Sequence, residues 1–146
     1  MISGPAVVEV ETGERYKLFQ LLASILPQHR AFINGLYESR NTTDIAYLDN
    51  KTIIAGCTGG IDNETTAYLA AMGVSPLLQY RRKGIGRETL NFFEEEMKSK
   101  KITTIRLDTD PEHVGWFERA GYREIWRGMQ QRGGGSFNGE MYPIKI

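Results

Sequence analysis

The chain has 146 residues, the length of one ordinary domain, so we expect a single domain over residues 1–146. Its 18 Lys and Arg residues balance its 18 Asp and Glu residues, and the resulting formal net charge of zero gives no overall field that favours nucleic acid or a membrane surface. No stretch approaches the roughly 20 apolar residues of a membrane span. We therefore predict a cytoplasmic protein with no nucleic-acid or membrane partner, in which the lone Cys57 is a small buried apolar residue.

The first 40 residues predict a strand followed by two helices. The β-branched residues of Ala6–Val10 favour a short strand, and apolar residues at helical spacing over Glu14–Leu26 predict a helix that ends before Pro27. A second helix is predicted over about residues 28–39, before a polar break. We expect the two helices to cover one flank of a sheet with these apolar residues: Tyr16, Phe19, Leu22, Ile25, Leu26, Phe32, Ile33, Leu36 and Tyr37.

The middle of the chain predicts three consecutive strands. Ile45–Leu48 and Thr52–Thr58 read as strands that are joined through Asp49-Asn50-Lys51, a tight hairpin signal. Gly59-Gly60-Ile61-Asp62-Asn63 then turns the chain toward a long apolar strand over residues 64–75. A three-stranded meander is expected.

A basic glycine turn, Arg81-Arg82-Lys83-Gly84-Ile85-Gly86, lies between that strand and a helix predicted over Arg87–Lys98. The first four N–H groups of a helix have no partner inside it and the helix dipole adds partial positive charge, so an anion can bind at this end. Glycine at positions 84 and 86 lets the backbone approach a ligand closely, because it has no Cβ. The turn is a candidate phosphate site, with a solvated basic turn as the alternative.

The rest of the chain predicts strands around one short helix. A strand over residues 102–108 completes a strand, turn, helix, strand unit, and a helix over residues 111–120 follows it. We then expect a strand over Arg123–Arg127, a flexible loop at Gly133-Gly134-Gly135 that is either a lid or a solvent loop, and a closing strand over about residues 139–146. Strands outside a single helical crossover predict a mixed α/β or α+β sheet.

Two motifs, in this order, resemble those of the GNAT superfamily of acetyl-CoA-dependent N-acetyltransferases. The first, Gln/Arg-x-x-Gly-x-Gly/Ala, is matched by Arg81, Gly84 and Gly86. The second, roughly Asn-x-x-Ala-x-x-Phe-Tyr-Glu-Lys-x-Gly-Phe, is matched or replaced by Asp110, His113, Trp116, Phe117, Glu118, Arg119, Gly121 and Tyr122. The resemblance covers about residues 45–146 and implies a GNAT-like α/β (α+β) fold, with a mixed, mostly antiparallel central sheet of about 6–7 strands flanked by helices.

The resemblance implies an N-acetyltransferase that uses acetyl-CoA as its co-substrate and needs no metal. It would move the acetyl group directly to a primary amine of a small-molecule or peptide acceptor, and a homodimer is one expectation, since family members often pair through sheet edges. One departure leaves an alternative open. Where the family commonly has a tyrosine that protonates the departing CoA thiolate, this chain has Phe117, so the alternative is a catalytically silent CoA-binding sensor or interaction module.

The resemblance also implies three sets of CoA contacts. The strand backbone at Met72, Gly73 and Val74 would line the pantetheine arm, although the Met72 and Val74 side chains can at the same time be plain core. The loop from residue 74 to 84 looks about two residues longer than the family's, with Leu77 and Leu78 as the extra residues. The second set lies in the turn: Arg81, Arg82, Lys83, Gly84, Ile85, Gly86 and Arg87. The third set lies along the short helix: Asp110, His113, Trp116 and Phe117. For His113 we favour a CoA contact or a structural role over a general base.

The general base is not assigned by the sequence. An amine acceptor must lose a proton before it attacks a thioester, so the enzyme needs a proton acceptor or a path to water. The candidates are Tyr68, Glu64 and Tyr142, with Asp62, Asp108 and Glu140 as further carboxylates near predicted strand ends. Each is alternatively a surface charge or a packed aromatic residue. Tyr122 and Tyr142 are also candidates to replace the missing thiolate donor.

Overall fold

A computed structural model describes residues 6–10, 12–39, 41–80, 83–109, 111–128 and 136–141. The chain forms two compact units, Met1–Gly60 with Ala71–Phe93 and Ile61–Ala70 with Glu94–Ile146. None of the described helices is long and apolar enough to cross a membrane. The elements are β1 (Ala6–Glu9), α1 (Thr12–Ile25), α2 (Arg30–Ser39), β2 (Thr43–Asp49), β3 (Thr52–Ile61), β4 (Thr66–Val74), α3 (Ile85–Ser99), β5 (Thr104–Thr109), α4 (Val114–Arg119), β6 (Arg123–Gly128) and β7 (Ser136–Met141).

The strands form a seven-stranded sheet in the order β1-β2-β3-β4-β5-β7-β6. β4 and β5 pair in parallel, and the chain between them contains α3, as a parallel pair requires a crossover connection. The pairs β1/β2, β2/β3, β5/β7 and β6/β7 are antiparallel. The predicted fold class, a mixed and mostly antiparallel sheet with helices, is confirmed.

In the first unit, β1 and β3 pair on either side of β2. The β2–β3 connection is the tight hairpin that the sequence predicts, with Asn50 at φ 50° and Lys51 at φ 71°. Two successive residues with positive φ are typical of a type I′ turn, which matches the twist of the strands it joins. The hairpin therefore holds the end of β2, including Asp49, in a fixed place.

The helices α1 and α2 pack together over this unit as predicted, with small differences at their ends and edges. α1 ends at Ile25, because Leu26 precedes Pro27 and takes φ −120°. Two aromatic residues predicted on the apolar faces are about half exposed, Tyr16 at 55% and Phe32 at 49%, since each lies at the edge of its face. The buried cluster is Leu18, Phe19, Leu22, Ala23 and Ile33 with Ala46 and Ala71.

A buried polar network joins α1 to α2 and β2. Arg15 donates from Nε to Asp44 Oδ2 at 2.7 Å and from Nη1 to the carbonyl oxygen of Tyr37 at 2.7 Å. The hydroxyls of Thr42 and Thr58 each donate to Asp44 Oδ1 at 2.7 Å. Three donors on one buried carboxylate compensate the cost of removing its charge from water.

In the second unit, the first half of β4 pairs with β5. The side-chain oxygen of Asn63 accepts the N–H groups of Thr65 and Thr66, and this turn starts β4 at Thr66, two residues later than predicted. The register joins Thr66–Leu69 to Thr104–Leu107, while β4 itself continues to Val74. Ala67 and Leu69 are buried on β4, as Ile105 and Leu107 are on β5, so Tyr68, Arg106 and Asp108 face the opposite side of the sheet.

The last part of the chain follows the predicted order. A 3₁₀ helix over Pro111–His113 leads into α4, and Gly121 at φ 104° provides the predicted glycine stop. β6 spans Arg123–Gly128, and β7 spans Ser136–Met141, starting three residues before the predicted strand because its register with β6 extends to Ser136. The predicted glycine loop at residues 133–135 and residues 142–146 lie outside the described residues.

Candidate functional site

The start of α3 is built around Gly84. Its carbonyl oxygen accepts the N–H of Glu88 at 2.9 Å, which places Gly84 at the N-cap, and its φ of 73° lies in the left-handed region. A Cβ added to Gly84 would meet no atom within 4 Å, so backbone conformation rather than crowding favours glycine here. Glycine also has no side chain that could cap the first N–H groups of the helix, which point out of the N-terminal end of any α-helix.

The first turn of α3 is fixed by burial on one side and carries charge on the other. Ile85 is buried in a cluster with Tyr47, Ile54 and Ala55. Lys83 is exposed, and the Arg87 guanidinium donates from Nε to the Asn91 side chain at 3.4 Å. Arg81, Arg82 and Asp110, three predicted cofactor contacts, lie outside the described residues.

The end of β4 combines core side chains with a backbone of extended geometry. Val74 packs against the Tyr47 cluster, and a Cβ on Gly73 would lie 3.1 Å from Ile25 Cγ2. The Val74 side chain is thus core, as one interpretation of the sequence holds. A core side chain does not conflict with a cofactor contact made through the main chain of the same residue.

A loop of ten residues, 75–84, connects β4 to α3 and is attached to the rest of the first unit. The Ser75 N–H donates to the carbonyl oxygen of Ile54 at 2.7 Å. The Tyr80 hydroxyl donates to Asp49 Oδ2 at 3.1 Å, and the Tyr80 ring packs against the Tyr47 cluster. Sequence reasoning missed this contact, because nothing near Tyr80 in the chain indicates a partner 31 residues away.

In the second unit, Tyr68 of β4 and Asp108 of β5 form one short hydrogen bond. The Tyr68 hydroxyl donates to Asp108 Oδ2 at 2.5 Å, the length typical of a hydroxyl bonded to a charged carboxylate. Asp108 is exposed and Tyr68 is half-buried. The parallel register brings these two residues, both considered as proton acceptors from the sequence, into direct contact.

The environment of Tyr68 keeps its hydroxyl protonated. Burial is the largest cause that raises the pKa of Tyr68 well above its ordinary value, followed by the hydrogen bond to Asp108 and the negative charges of Asp108 and Asp62. The positive charge of Arg106 acts in the opposite direction but is the smallest of these effects. A phenol that holds its proton this firmly is a hydrogen-bond donor at neutral pH and a poor proton acceptor.

The residues around α4 pack as an aromatic group within the second unit. Trp116 and Phe117 meet edge to face with ring centroids 4.9 Å apart, and Phe117 meets Tyr122 in the same way at 5.8 Å. The buried Tyr122 hydroxyl donates to Glu94 Oε2 at 3.1 Å. His113 is exposed, with Nε2 3.5 Å from Glu112 Oε2. Phe117 and Tyr122 therefore belong to the core of this unit.

The profile of the Acetyltransferase (GNAT) family matches residues 9–122. The chain belongs to the GNAT acetyltransferase family. The resemblance seen in the sequence is confirmed, and with it the class of enzyme, an acetyl-CoA-dependent N-acetyltransferase. No curated protein sequence matches the chain.

Solved structures of acetyltransferases share the fold of this GNAT protein. An aminoglycoside 6′-acetyltransferase type Ii has a TM-score of 0.80 at 19% identity, with 97% of this chain and 99% of that chain covered. An aminoglycoside 6′-N-acetyltransferase complexed with coenzyme A has a TM-score of 0.81 at 15% identity, with 97% and 98% covered. The ribosomal-protein-S18-alanine N-acetyltransferase from Escherichia coli has a TM-score of 0.75 at 17% identity, with 97% and 95% covered. At these identities the likeness concerns the fold alone.

The remaining candidates of this GNAT protein fall in different places. Glu64 is exposed in the turn before β4. Glu140 lies on β7 opposite Arg106 of β5, and Tyr142 lies outside the described residues. Among the residues that the structure describes, no group of three His, Cys, Asp or Glu side chains is arranged to hold a metal ion.

Proposed function

We propose that the protein transfers the acetyl group of acetyl-CoA directly to a primary amine of a small-molecule or peptide acceptor. The observation that carries the proposal is the start of α3, where Gly84 takes φ 73° at the N-cap, within a chain of the GNAT family. Helix N-termini of this kind bind phosphate through backbone N–H groups, aided by the helix dipole.

In this proposal the CoA pyrophosphate binds at the N–H groups of residues 84–87, and Lys83 and Arg87 add positive charge. The backbone at Met72–Val74 takes the pantetheine arm in the manner of an added strand. Support comes from the burial of Ile85 in the Tyr47 cluster and from the packing of the partly buried Val74 against the same cluster, which hold both segments in place within the first unit. His113 and Trp116 remain predicted contacts through the family motifs, as do Arg81, Arg82 and Asp110, which lie outside the described residues.

We propose Asp108, rather than Tyr68 or Glu64, as the group that takes the proton from the amine, directly or through a water molecule. Asp108 is an exposed carboxylate, and the Tyr68 hydroxyl uses only Oδ2, so Oδ1 keeps acceptor capacity. Tyr68 holds its own proton and serves to fix the Asp108 carboxylate. A base held by a neighbouring donor is pre-positioned for proton transfer.

The reaction needs no covalent intermediate on the enzyme. The neutral amine attacks the thioester carbon, a C–N bond forms, and the carbonyl oxygen becomes an oxyanion that backbone N–H groups of β4 stabilise. The C–S bond then breaks, and the electron pair leaves with sulfur as the CoA thiolate. Because a thiol such as that of cysteine has a pKa of about 8.5, the thiolate can depart before it is protonated. The amide nitrogen then loses its remaining extra proton to water, and the thiolate takes a proton from water.

Because the thiolate is protonated by water, this route does not need the tyrosine that Phe117 replaces. The Phe117 ring has no proton to give, and the buried Tyr122 hydroxyl is directed to Glu94. Neither is therefore assigned as the thiolate donor. Phe117 also supports the second candidate function, a CoA-binding module without catalysis, which measurable acetyl transfer to any amine would exclude.

Chemistry and the activities of similar proteins support the proposed acceptor class, a primary amine of a small molecule or a peptide. The similar proteins include an aminoglycoside acetyltransferase and a ribosomal-protein-alanine acetyltransferase, so small-molecule and protein amines are both within the proposal. A primary amine is cationic at neutral pH and must be deprotonated to react, which makes an accessible carboxylate such as Asp108 useful.

The test is a calorimetric titration with acetyl-CoA of the wild-type protein and of Gly84→Asp and Gly86→Asp. We expect binding by the wild type and its loss in both variants, because each adds a negative charge and a Cβ where the phosphate would lie. Gly35→Asp is the control, since a Cβ at Gly35 on α2 also meets no atom within 4 Å. A folded wild type that does not bind acetyl-CoA would refute the proposal.

A further inference from the structure

The loop that carries the phosphate turn has an anchor of its own. Tyr80 lies three residues before Lys83, and its hydroxyl donates to Asp49 Oδ2 at 3.1 Å. Asp49 is the last residue of β2 and immediately precedes the hairpin residues Asn50 and Lys51. The hydrogen bond therefore ties the end of the loop to a rigid β-turn.

The remaining contacts of the loop show why this bond matters. Its first residue, Ser75, is held by the carbonyl oxygen of Ile54, and the helix after it is held by the buried Ile85. Between these points Leu77 is 55% exposed. Of the described side chains in the loop, Tyr80 is the one that both packs against the Tyr47 cluster and bonds to a neighbouring element. A longer loop has more conformations to lose when it binds a ligand, unless it is already fixed.

Negative charge near the start of α3 makes the alignment of its backbone N–H groups more important for binding a phosphate. Burial is the largest cause that raises the pKa of Tyr47, and the negative charges of Glu88 and Asp49 raise it further. Glu88 lies in the first turn of α3, where its negative charge opposes the binding of a phosphate. The affinity must then come from well-aligned backbone N–H groups, together with Lys83 and Arg87.

We infer that Tyr80 is a positioning residue for the pyrophosphate of CoA, acting through its hydrogen bond to Asp49. The inference rests on the proposed acetyl-CoA site. The Tyr80–Asp49 bond holds Tyr80, three residues before Lys83, so that the N–H groups at the start of α3 are aligned before the ligand arrives. Asp49 acts as the hydrogen-bond acceptor, and its negative charge is a disadvantage for the ligand.

Calorimetric titration with CoA and with pantetheine, which lacks the pyrophosphate, tests this inference. Tyr80→Phe keeps the ring and removes the hydroxyl, and we expect the Kd for CoA to rise about three- to tenfold while the Kd for pantetheine is unchanged. Asp49→Ala removes the same hydrogen bond together with the unfavourable charge, so it should give a smaller loss, and adding Tyr80→Phe to it should cause no further loss. Asp49→Asn keeps an oxygen acceptor without the charge, so it should bind CoA at least as well as the wild type.

The possible results distinguish the positioning role of Tyr80 from the proposed acetyl-CoA site. Tyr16→Phe is the matched control. Among the described contacts, the Tyr16 hydroxyl accepts a hydrogen bond from Gln20 on the same helix, α1. The Kd of this variant for CoA should therefore equal that of the wild type. If the wild type binds CoA and Tyr80→Phe binds it equally well, or loses CoA and pantetheine to the same extent, the positioning role is wrong and the cofactor site stands. If the wild type binds no CoA, both are wrong.

Discussion

Asp44 and Asp108 are two carboxylates of the sheet that accept hydrogen bonds from hydroxyl groups, yet their surroundings differ. Asp44 is 4% exposed and receives one charged donor, Arg15, and two hydroxyls. Asp108 is exposed and receives the Tyr68 hydroxyl at 2.5 Å. The first carboxylate is enclosed by its partners, whereas the second accepts one hydrogen bond among the described contacts and is reachable by solvent.

The difference separates a carboxylate that supports the fold from one that can exchange protons. The guanidinium that bonds Asp44 also donates to the carbonyl oxygens of Leu36 and Tyr37 near the end of α2, so this network joins three elements of the first unit. An aromatic ring also packs against the Arg15 guanidinium, which lies 4.7 Å from the centroid of Phe19. A proton acceptor must reach its substrate, and only Asp108 has that access.

The largest expected effect is on stability, at Asp44. Asp44→Ala leaves the largely buried Arg15 charge without its anion, and we expect the free energy of unfolding to fall by about 3–5 kcal/mol, measured by urea denaturation. The control is Glu14→Ala, which removes an exposed pair with Lys17 and should change stability by less than about 0.5 kcal/mol. A small change at Asp44 would mean that the network adds little to the fold.

The second effect is on turnover, at Asp108. Asp108→Asn keeps the size and an oxygen acceptor but removes the base, so kcat with a reactive amine should fall by about 10²-fold or more. The melting temperature should change little, since the residue is exposed. Glu64→Gln is the matched control, because Glu64 is an exposed carboxylate in the turn before the neighbouring strand β4, and it should retain wild-type turnover. Equal losses in the two variants would remove the assignment of Asp108.

The same contrast shows what sequence reasoning can reach. Local signals gave the hairpin at Asn50–Lys51, the glycine at the start of α3 and the stop at Gly121, because each depends on the conformation of a few consecutive residues. The family motifs gave the class of enzyme. Spacing alone did not tell that Tyr16 lies at the exposed edge of its helix while Leu18 is buried.

The sequence did not predict the hydrogen bonds between side chains that are far apart along the chain. Arg15 and Asp44 are 29 residues apart, Tyr80 and Asp49 are 31 apart, and Tyr68 and Asp108 are 40 apart. Such pairs depend on the register of strands and on how helices pack, which one sequence does not state. Tyr68 and Asp108 were considered separately as proton acceptors, and their contact is what assigns different roles to them.

The smallest expected effect, at Tyr68, tests those roles by pH. Its pKa is raised in the folded protein, chiefly by burial and then by Asp108, whereas an unfolded tyrosine ionises near pH 10. Above that pH the unfolded state loses this proton first. The contribution of Tyr68 to stability is therefore fully present below pH of about 10 and is lost as the pH rises beyond it.

Absorbance titration of the phenolate, taken as the difference between the wild type and Tyr68→Phe, should show no ionisation of Tyr68 in the range of an ordinary tyrosine. In Asp108→Asn the ionisation should move back toward that range without reaching it, because the hydrogen bond to a charged group and the charge are removed while burial remains. Tyr68→Phe itself should lower kcat by only about fivefold, since it removes one hydrogen bond to the base. If Tyr68 ionises at or below the ordinary pKa, it can act as the proton acceptor, and the roles of Tyr68 and Asp108 would have to be exchanged.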